Sequence, residues 1–325
     1  MLFDYTGRNE KGCGAMRLVS STGDFTWYVD SIEQEIREFH DSKFRYVNLE
    51  QVDPAFEQDG DAWRRKVDDW GQAAADAGVT FLASHSPCVN AFSKMDEETY
   101  SVALRAVRRS IEACHILGIP STVVHACSNI HMSCMDFYRY NKRFYTDLFD
   151  LMEKYNVAVL TENMHAFAYF HLSTGKEMRE FIDYVDHPLL GACWDTAHGN
   201  LNRKCRDQGQ YKCITDIGDK LKGLHIADNF GDGPHHHSWP FAGIINFDSV
   251  MQGLLDVGYD GPFTFEASYT LLHAKNLPYR RQPWEHNGQT VTKLLSPPIR
   301  LKKQAMDLLY DTGKYILQTY DCFEE

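Results

Sequence analysis

Eight short runs rich in β-forming residues alternate along the chain with amphipathic segments, and this alternation limits the fold more than any other feature. Most of the runs are continuously apolar, as expected for parallel strands that are covered on both faces. Eight such β/α units predict an α/β protein with a closed (β/α)8 TIM barrel. The strand candidates are MRLVSS (16–21), RYVNLE (45–50), TFLASHS (80–86), TVVHAC (122–127), VAVLTEN (157–163), LGACWDTAH (190–198), GLHIADN (223–229) and FTFEAS (263–268).

Between the strand candidates, apolar residues recur at the spacing of a helix. Such periodic sets occur at 63–74, 104–114, 144–155 and 250–257, and a last helix is expected at about 302–318. The second helix is predicted to begin at a capping box formed by Ser93 and Asp96 and to end near Gly118.

The chain has 325 residues, which suits one barrel of about 250 residues with insertions. We find no linker rich in Pro, Gly or Ser and no change in composition, so residues 1–325 are predicted to form a single domain. The segment 269–300 is a long insertion after the eighth strand and contains LPYRRQPWEHNGQ. A loop of this length is usually functional, so a lid or an oligomer contact is expected here.

Composition narrows the classes of function. The 33 basic and 45 acidic residues give a net charge of −12, which disfavours a nucleic-acid partner. Nine cysteines without a CxxC pair fit buried thiols in a reducing compartment, and Cys88 and Cys127 are interpreted as small buried side chains. No signal peptide and no apolar run long enough for a membrane span are found, so a cytoplasmic protein is expected. GxGxxG and GxxxxGK[ST] are missing, and no nucleotide cofactor is expected.

Polar residues recur at the carboxyl ends of the third to eighth strand candidates. In a barrel these ends meet on one face, where active sites lie. Carboxylates buried so close together would repel one another unless a cation neutralises them. The oxygen and nitrogen donors suit Mn²⁺, Mg²⁺, Co²⁺ or Zn²⁺. The set comprises His85, His125, Glu162, Asp195, His198, His225 and Glu266. Any one of these residues alone could instead cap a helix or form a hydrogen bond to a loop.

Four segments resemble the xylose-isomerase-like barrel superfamily of sugar (phosphate) isomerases and epimerases, which has relatives among inosose dehydratases and apurinic-site endonucleases. They are TEN (161–163), GACWDTAH (191–198), GLHIADN (223–229) and GYDGPFTFEAS (258–268). The resemblance implies that one divalent metal, most often Mn²⁺, is bound by Glu162, Asp195, His225 and Glu266. It also implies that Glu162 and Glu266 act as an acid/base pair.

The same resemblance implies a second group of site residues. His85 and His125 with Glu162 resemble a second metal site of the endonuclease branch, and His198 with two loop histidines resembles a third. His237 matches a histidine position of the family, whereas His235 stands where an aspartate is usual. Hydrogen bonding to sugar hydroxyls is the alternative role, so substrate binding or additional metal binding is expected of His85, His125, His198, His235 and His237.

These features predict a metal-dependent sugar isomerase or epimerase that acts on a ketose or keto-sugar. A base removes the proton α to the carbonyl and the metal stabilises the resulting enediolate. The alternatives are a lyase of the same fold (a dehydratase, or the catalytic subunit of a C-glycoside-cleaving enzyme), an endonuclease-like multi-metal phosphodiesterase, and a non-catalytic sugar-binding module. The expected partners are a small-molecule sugar and a second copy of the chain in a dimer or tetramer, with a small partner subunit as a further option.

Overall fold

The computed structural model describes residues 14–88, 96–129, 131–165, 171–232, 237–275 and 282–325. Each of the first six strands pairs in parallel with the next along the chain. The eighth pairs with the first, and a parallel bridge from Ile226 to Phe265 joins the seventh to the eighth. The predicted TIM barrel is confirmed; its strands are β1 Met16–Ser21, β2 Tyr46–Glu50, β3 Thr80–His85, β4 Ser121–Val123, β5 Ala158–Glu162, β6 Leu190–Asp195, β7 Leu221–His225 and β8 Phe263–Thr264.

Helices surround the strands, and the longer ones pack an apolar face against the core. On the helix Ala62–Ala77, for example, the periodic residues Trp63, Val67 and Trp70 are all buried in the main core. Short 3-10 turns occupy Thr22–Phe25, Pro54–Phe56 and Gly218–Lys220. The helices are α1 Ile32–Arg37, α2 Ala62–Ala77, α3 Glu97–Leu117, α4 Cys134–Thr146, α5 Phe149–Tyr155, α6 Gly175–Val185, α7 Thr196–Leu201, α8 Arg203–Gln208, α9 Gln210–Ile217, α10 Phe247–Val257 and α11 Ile299–Thr319.

Three local predictions are wrong. The capping box is wrong because Asp96 itself is the N-cap of α3 and accepts a hydrogen bond from the Thr99 amide; Ser93 lies outside the described residues. The periodic set at 144–155 forms two helices, α4 and α5. The strand predicted at 190–198 ends at Asp195, whose side chain caps α7.

The insertion after β8 is predicted as a long loop, and its described part contains an antiparallel hairpin. Strands β9 (Trp284–His286) and β10 (Gln289–Val291) pair with each other and are exposed. A further strand, β11 (Phe323–Glu324), adds in parallel to β1 through the pair Met16 and Phe323. The role of 269–300 as a lid or an oligomer contact stays a prediction, as does the single domain.

Most described cysteines are free thiols, and five of these seven are buried. Cys322 is disulfide-bonded and is the exception among the described cysteines. Cys88 is exposed rather than buried, which contradicts its interpretation as a core side chain.

Within the described ranges, no helix combines the length and the apolar character that crossing a lipid bilayer requires.

The C-terminal helix α11 packs closely against the barrel at a glycine. A Cβ atom at Gly313 would lie 2.5 Å from the ring of Phe265 and 2.7 Å from Cδ2 of Leu18. Both neighbours are buried, and Phe265 directly precedes Glu266 in the chain. Gly313 therefore sets the distance between this helix and the last barrel strand.

We expect Gly313→Leu to lower the free energy of unfolding by about 1–3 kcal/mol, because the added atoms overpack the interface with Phe265 and Leu18. Urea unfolding measures the change. Gln318→Leu, at an exposed position of the same helix, is the matched control and should change stability little. Equal stability of the two variants would contradict this account of the contact.

Candidate functional site

Four side chains converge at the carboxyl ends of the last four barrel strands. Glu162, Asp195 and His225 are the final residues of β5, β6 and β7, and Glu266 follows β8 by two residues. One possible ligand atom from each lies within 4.8 Å of those from the others. The first three are at most 2% exposed, whereas the Glu266 side chain keeps 25% of its surface accessible. Consecutive strands of a parallel barrel place their ends side by side, which accounts for the convergence.

The Nδ1 atom of His225 lies between the two glutamates of this cluster. It lies 2.9 Å from Glu162 Oε1 and 2.9 Å from Glu266 Oε2. Asp195 uses Oδ1 to accept the His198 amide at 2.6 Å, while its buried Oδ2 has no hydrogen-bond partner in the described part of the chain. A buried carboxylate oxygen without a partner is costly. Such an oxygen beside two further carboxylates fits a site for a cation.

The pKa values of the three carboxylates show how far the neighbouring imidazoles compensate their charges. Burial opposes ionisation of Glu162, but the charge of His225 and hydrogen bonds from His125 and His225 hold the pKa of Glu162 well below its ordinary value. The pKa of Glu266 is also held low, against burial, by neighbouring imidazoles. Burial raises the pKa of Asp195 to about 7, and the charges of Glu162 and Glu266 add to the rise. A bound divalent cation would favour the ionised form of Asp195, with release of a proton.

The donor set therefore fits a divalent metal. Three carboxylates and one imidazole offer mainly hard oxygen ligands, which Mn²⁺ and Mg²⁺ accept readily. The sequence-based expectation that Glu162, Asp195, His225 and Glu266 lie together agrees with this geometry, and their binding of metal stays a proposal.

His85 and His125 lie on the other side of Glu162. His125 Nε2 is 2.8 Å from Glu162 Oε2, and His85 Nε2 is 3.1 Å from His125 Nε2. Cys88, three residues after the end of β3, adds a third possible ligand atom within 4.8 Å of those of the two histidines. Sequence reasoning found the histidines at the strand ends but missed Cys88, because a residue beyond the strand end has no fixed direction.

His198 and His237 lie beside Asp195, and the three have possible ligand atoms within 4.8 Å of one another. His198 is on α7, not on β6, and its Nδ1 bonds to the carbonyl oxygen of Asn163 at 2.9 Å. His237 Nε2 is 3.7 Å from Asp195 Oδ2, and its Nδ1 is 3.5 Å from Glu266 Oε1. The remaining predicted residue of this group, His235, lies outside the described residues.

Asn163 holds the backbone of Asp195 and contacts the ring of His198. Its amide group accepts the Asp195 N–H at 2.6 Å and donates to the Asp195 carbonyl at 2.9 Å. Its own carbonyl oxygen bonds to His198. Asn163 is fully buried and directly follows Glu162, so one residue links the ends of β5, β6 and α7.

A cavity of about 360 Å³ opens beside Glu266, between the ends of β1 and β2 and the segment after β8. Its volume is in the range of small-molecule pockets. Aromatic side chains line part of it, and Asp24, Glu35 and Glu50 line another part. None of the described residues that line it is Lys or Arg.

Glu50 is a site residue that the sequence reasoning missed. It ends β2 in register with His85 at the end of β3, and it accepts hydrogen bonds from Ser21 and Asn48. The sequence contains a signal for it: the strand candidate RYVNLE ends with Glu50, just as the strand candidate VAVLTEN has Glu162 near its end. Glu35, on α1, carried no such signal; burial raises its pKa to about 8, although Thr26 donates a hydrogen bond to it.

The fold and the cluster define a class of protein, a (β/α)8 barrel with a set of potential metal ligands at the carboxyl ends of its strands. The sequence profile of the xylose isomerase-like TIM barrel family matches residues 36–287. The chain belongs to that family.

Named relatives share shorter stretches with this chain. The ketose 3-epimerase of Arthrobacter globiformis is 27% identical over 106 residues, which are 33% of this chain and 33% of that protein. The L-ribulose 3-epimerase of Methylomonas sp. (strain DH-1) is 31% identical over 96 residues, 30% of each chain. The chain thus matches about a third of the length of these relatives.

Solved structures match over nearly the whole chain. The crystal structure of a D-allulose 3-epimerase from Methylomonas sp. in complex with D-allulose superposes with a TM-score of 0.70 and 16% identity. The superposition covers 94% of this chain and 98% of that one. At this identity the likeness establishes the fold.

We expect Asn163→Ala to weaken divalent-metal binding roughly 10- to 100-fold, because the backbone of Asp195 loses the side-chain amide that holds it in place. Competition with a metal-sensitive dye measures the affinity. Asn202→Ala is the matched control, a buried asparagine that caps α8 and bonds no side chain of the cluster. Unchanged affinity in Asn163→Ala would show that Asn163 does not position the site.

Proposed function

We propose that the protein is a metal-dependent sugar epimerase or isomerase that moves a proton α to the carbonyl of a ketose or keto-sugar. The observation that carries the proposal is the position of Glu266, which belongs to the four-residue cluster and also faces a cavity of sugar size. The ketose 3-epimerases with which the chain shares sequence support the same reaction class.

Glu162, Asp195, His225 and Glu266 would hold the divalent ion, with Mn²⁺ preferred and Zn²⁺, Co²⁺ or Mg²⁺ as alternatives. When bound, the ion supplies Lewis-acid charge that makes the proton next to a carbonyl easier to remove.

Glu266 is the carboxylate best placed to take a proton from a substrate in the cavity. Its low pKa keeps it ionised at neutral pH, as a base must be, and its side chain is partly accessible. The Glu162 side chain is 1% exposed, and each of its two carboxylate oxygens contacts an imidazole. In epimerisation Glu266 would receive the proton from carbon, and a proton taken up from water through Glu162 would add to the opposite face of the enediolate. Glu266 would then release its proton to water, which leaves both carboxylates ionised as at the start.

The cavity favours an uncharged sugar over a sugar phosphate. Asp24, Glu35 and Glu50 line it, and the described lining supplies no guanidinium or ammonium group to bind a phosphate. Hydroxyl groups can donate hydrogen bonds to ionised carboxylates and accept one from a protonated Glu35, whose pKa is raised to about 8.

A second candidate is a multi-metal phosphodiesterase. The observation in its favour is that three groups of possible ligands meet at this face, including His85 with His125 and Asp195 with His198 and His237. The acidic cavity and the net charge of −12 argue against a phosphodiester substrate. A lyase shares the first proton transfer and has no separate structural support. An oligomer, a small partner subunit and a cytoplasmic location stay predictions.

The reaction is tested by incubating Mn²⁺-loaded protein in D2O with a panel of ketoses, their phosphates and a duplex with an apurinic site. We expect solvent deuterium in a recovered, uncharged ketose. Glu266→Gln should slow this exchange by roughly 10²- to 10⁴-fold, because it removes the base. Glu180→Gln, on the exposed face of α6, is the control and should match the unchanged protein.

Strand cleavage of the duplex without exchange in any sugar would favour the phosphodiesterase. Exchange at a normal rate in a folded Glu266→Gln variant would remove Glu266 from the mechanism.

A further inference from the structure

Cys88 lies beside two histidines, where its thiol would complete a second set of metal ligands. A second metal site goes beyond the proposed function. His85 is the last residue of β3, Cys88 follows three residues later, and His125 lies two residues beyond β4. Their possible ligand atoms fall within 4.8 Å of one another. The family resemblance implies a metal-binding role for the two histidines and Glu162. It implies no role for a cysteine at this position.

The orientation of His85 suits a metal ligand that binds through Nε2. Its Nδ1 lies 2.7 Å from the carbonyl oxygen of Ser86, which can only accept, so Nδ1 carries a proton. A histidine that binds a metal is neutral, and the lone pair of the neutral ring would be on Nε2, which faces His125 Nε2 at 3.1 Å. A histidine bound to metal commonly has its other ring nitrogen held by a carbonyl in this way.

The spacing of the donors fits a small divalent ion. Bonds of about 2.0–2.1 Å at tetrahedral angles place neighbouring nitrogen or oxygen ligands roughly 3.3 Å apart. The three separations among His85 Nε2, His125 Nε2 and Glu162 Oε2 are 3.1, 2.8 and 3.5 Å. The donors therefore already have nearly the spacing of one face of a tetrahedron.

We infer that Cys88, His85, His125 and Glu162 form a second metal site, closed by the thiolate and suited to Zn²⁺. Glu162 is shared between the two sites, because Oε1 faces His225 and Oε2 faces His125. Such a shared carboxylate is compatible with two ions a few ångströms apart.

The thiolate makes the two sites chemically different. The first has three carboxylates and one imidazole, which suit Mn²⁺ or Mg²⁺, and a sulfur ligand with two imidazoles favours Zn²⁺ or Co²⁺. The protein would thus hold two different metals in one active site. Four protein ligands leave no open position on the zinc ion, which makes this a structural rather than a catalytic ion.

The test is to load the purified protein with Co²⁺ and record metal content and the near-ultraviolet spectrum. We expect two ions per chain and a sulfur-to-cobalt charge-transfer band. Cys88→Ser should lose the band and one of the two ions. Cys134→Ser, at another exposed free thiol at the start of α4, is the matched control and should keep both.

A second variant, Cys88→His, keeps a ligand and removes the sulfur. It should retain the second ion without the band, which separates loss of a ligand from damage to the fold. The inference is overturned if the unchanged protein shows no charge-transfer band or if folded Cys88→Ser retains the band. Neither measurement requires turnover, so an active epimerase with one metal would sustain the proposed function and reject this second site.

Discussion

The face at the carboxyl ends of the barrel strands depends on one electrostatic constraint, the close packing of three carboxylates, two of them buried, with one imidazole. Glu162, Asp195 and Glu266 come from three strand ends and have His225 among them. Removing such charges from water costs several kcal/mol per ion unless other charges compensate. The imidazoles provide part of that compensation, yet Asp195 keeps a raised pKa and an oxygen without a hydrogen bond. A divalent ion, as we propose, would supply the missing positive charge.

The surrounding structure assigns different tasks to the two glutamates. Glu162 is enclosed, with His225 on one oxygen and His125 on the other, so its orientation is fixed from both sides. Glu266 has the cavity on one side and can meet a substrate. Asn163 completes the arrangement by holding the backbone of Asp195 from the neighbouring strand. The positions of the proposed catalytic groups are therefore set by strand register and by one buried amide.

The barrel and the four-residue cluster could be predicted from the sequence because both follow from short-range regularities. Apolar runs mark the strands, and the polar residue that ends each run must lie on the same face. The sequence predicts His198 on a strand, whereas it lies on α7. The strand β6 ends at Asp195 because the side chain of Asp195 caps α7. Only the folded chain shows that this helix begins there instead of a longer strand. Cys88 and Glu35 lie outside the strands, so only the folded chain shows what they face.

The most direct test of the account is anomalous diffraction at the manganese edge from crystals grown with Mn²⁺. The account predicts a peak within bonding distance of Glu162, Asp195, His225 and Glu266. No peak among these side chains in metal-saturated crystals, or side chains that turn away from a common point, would contradict it.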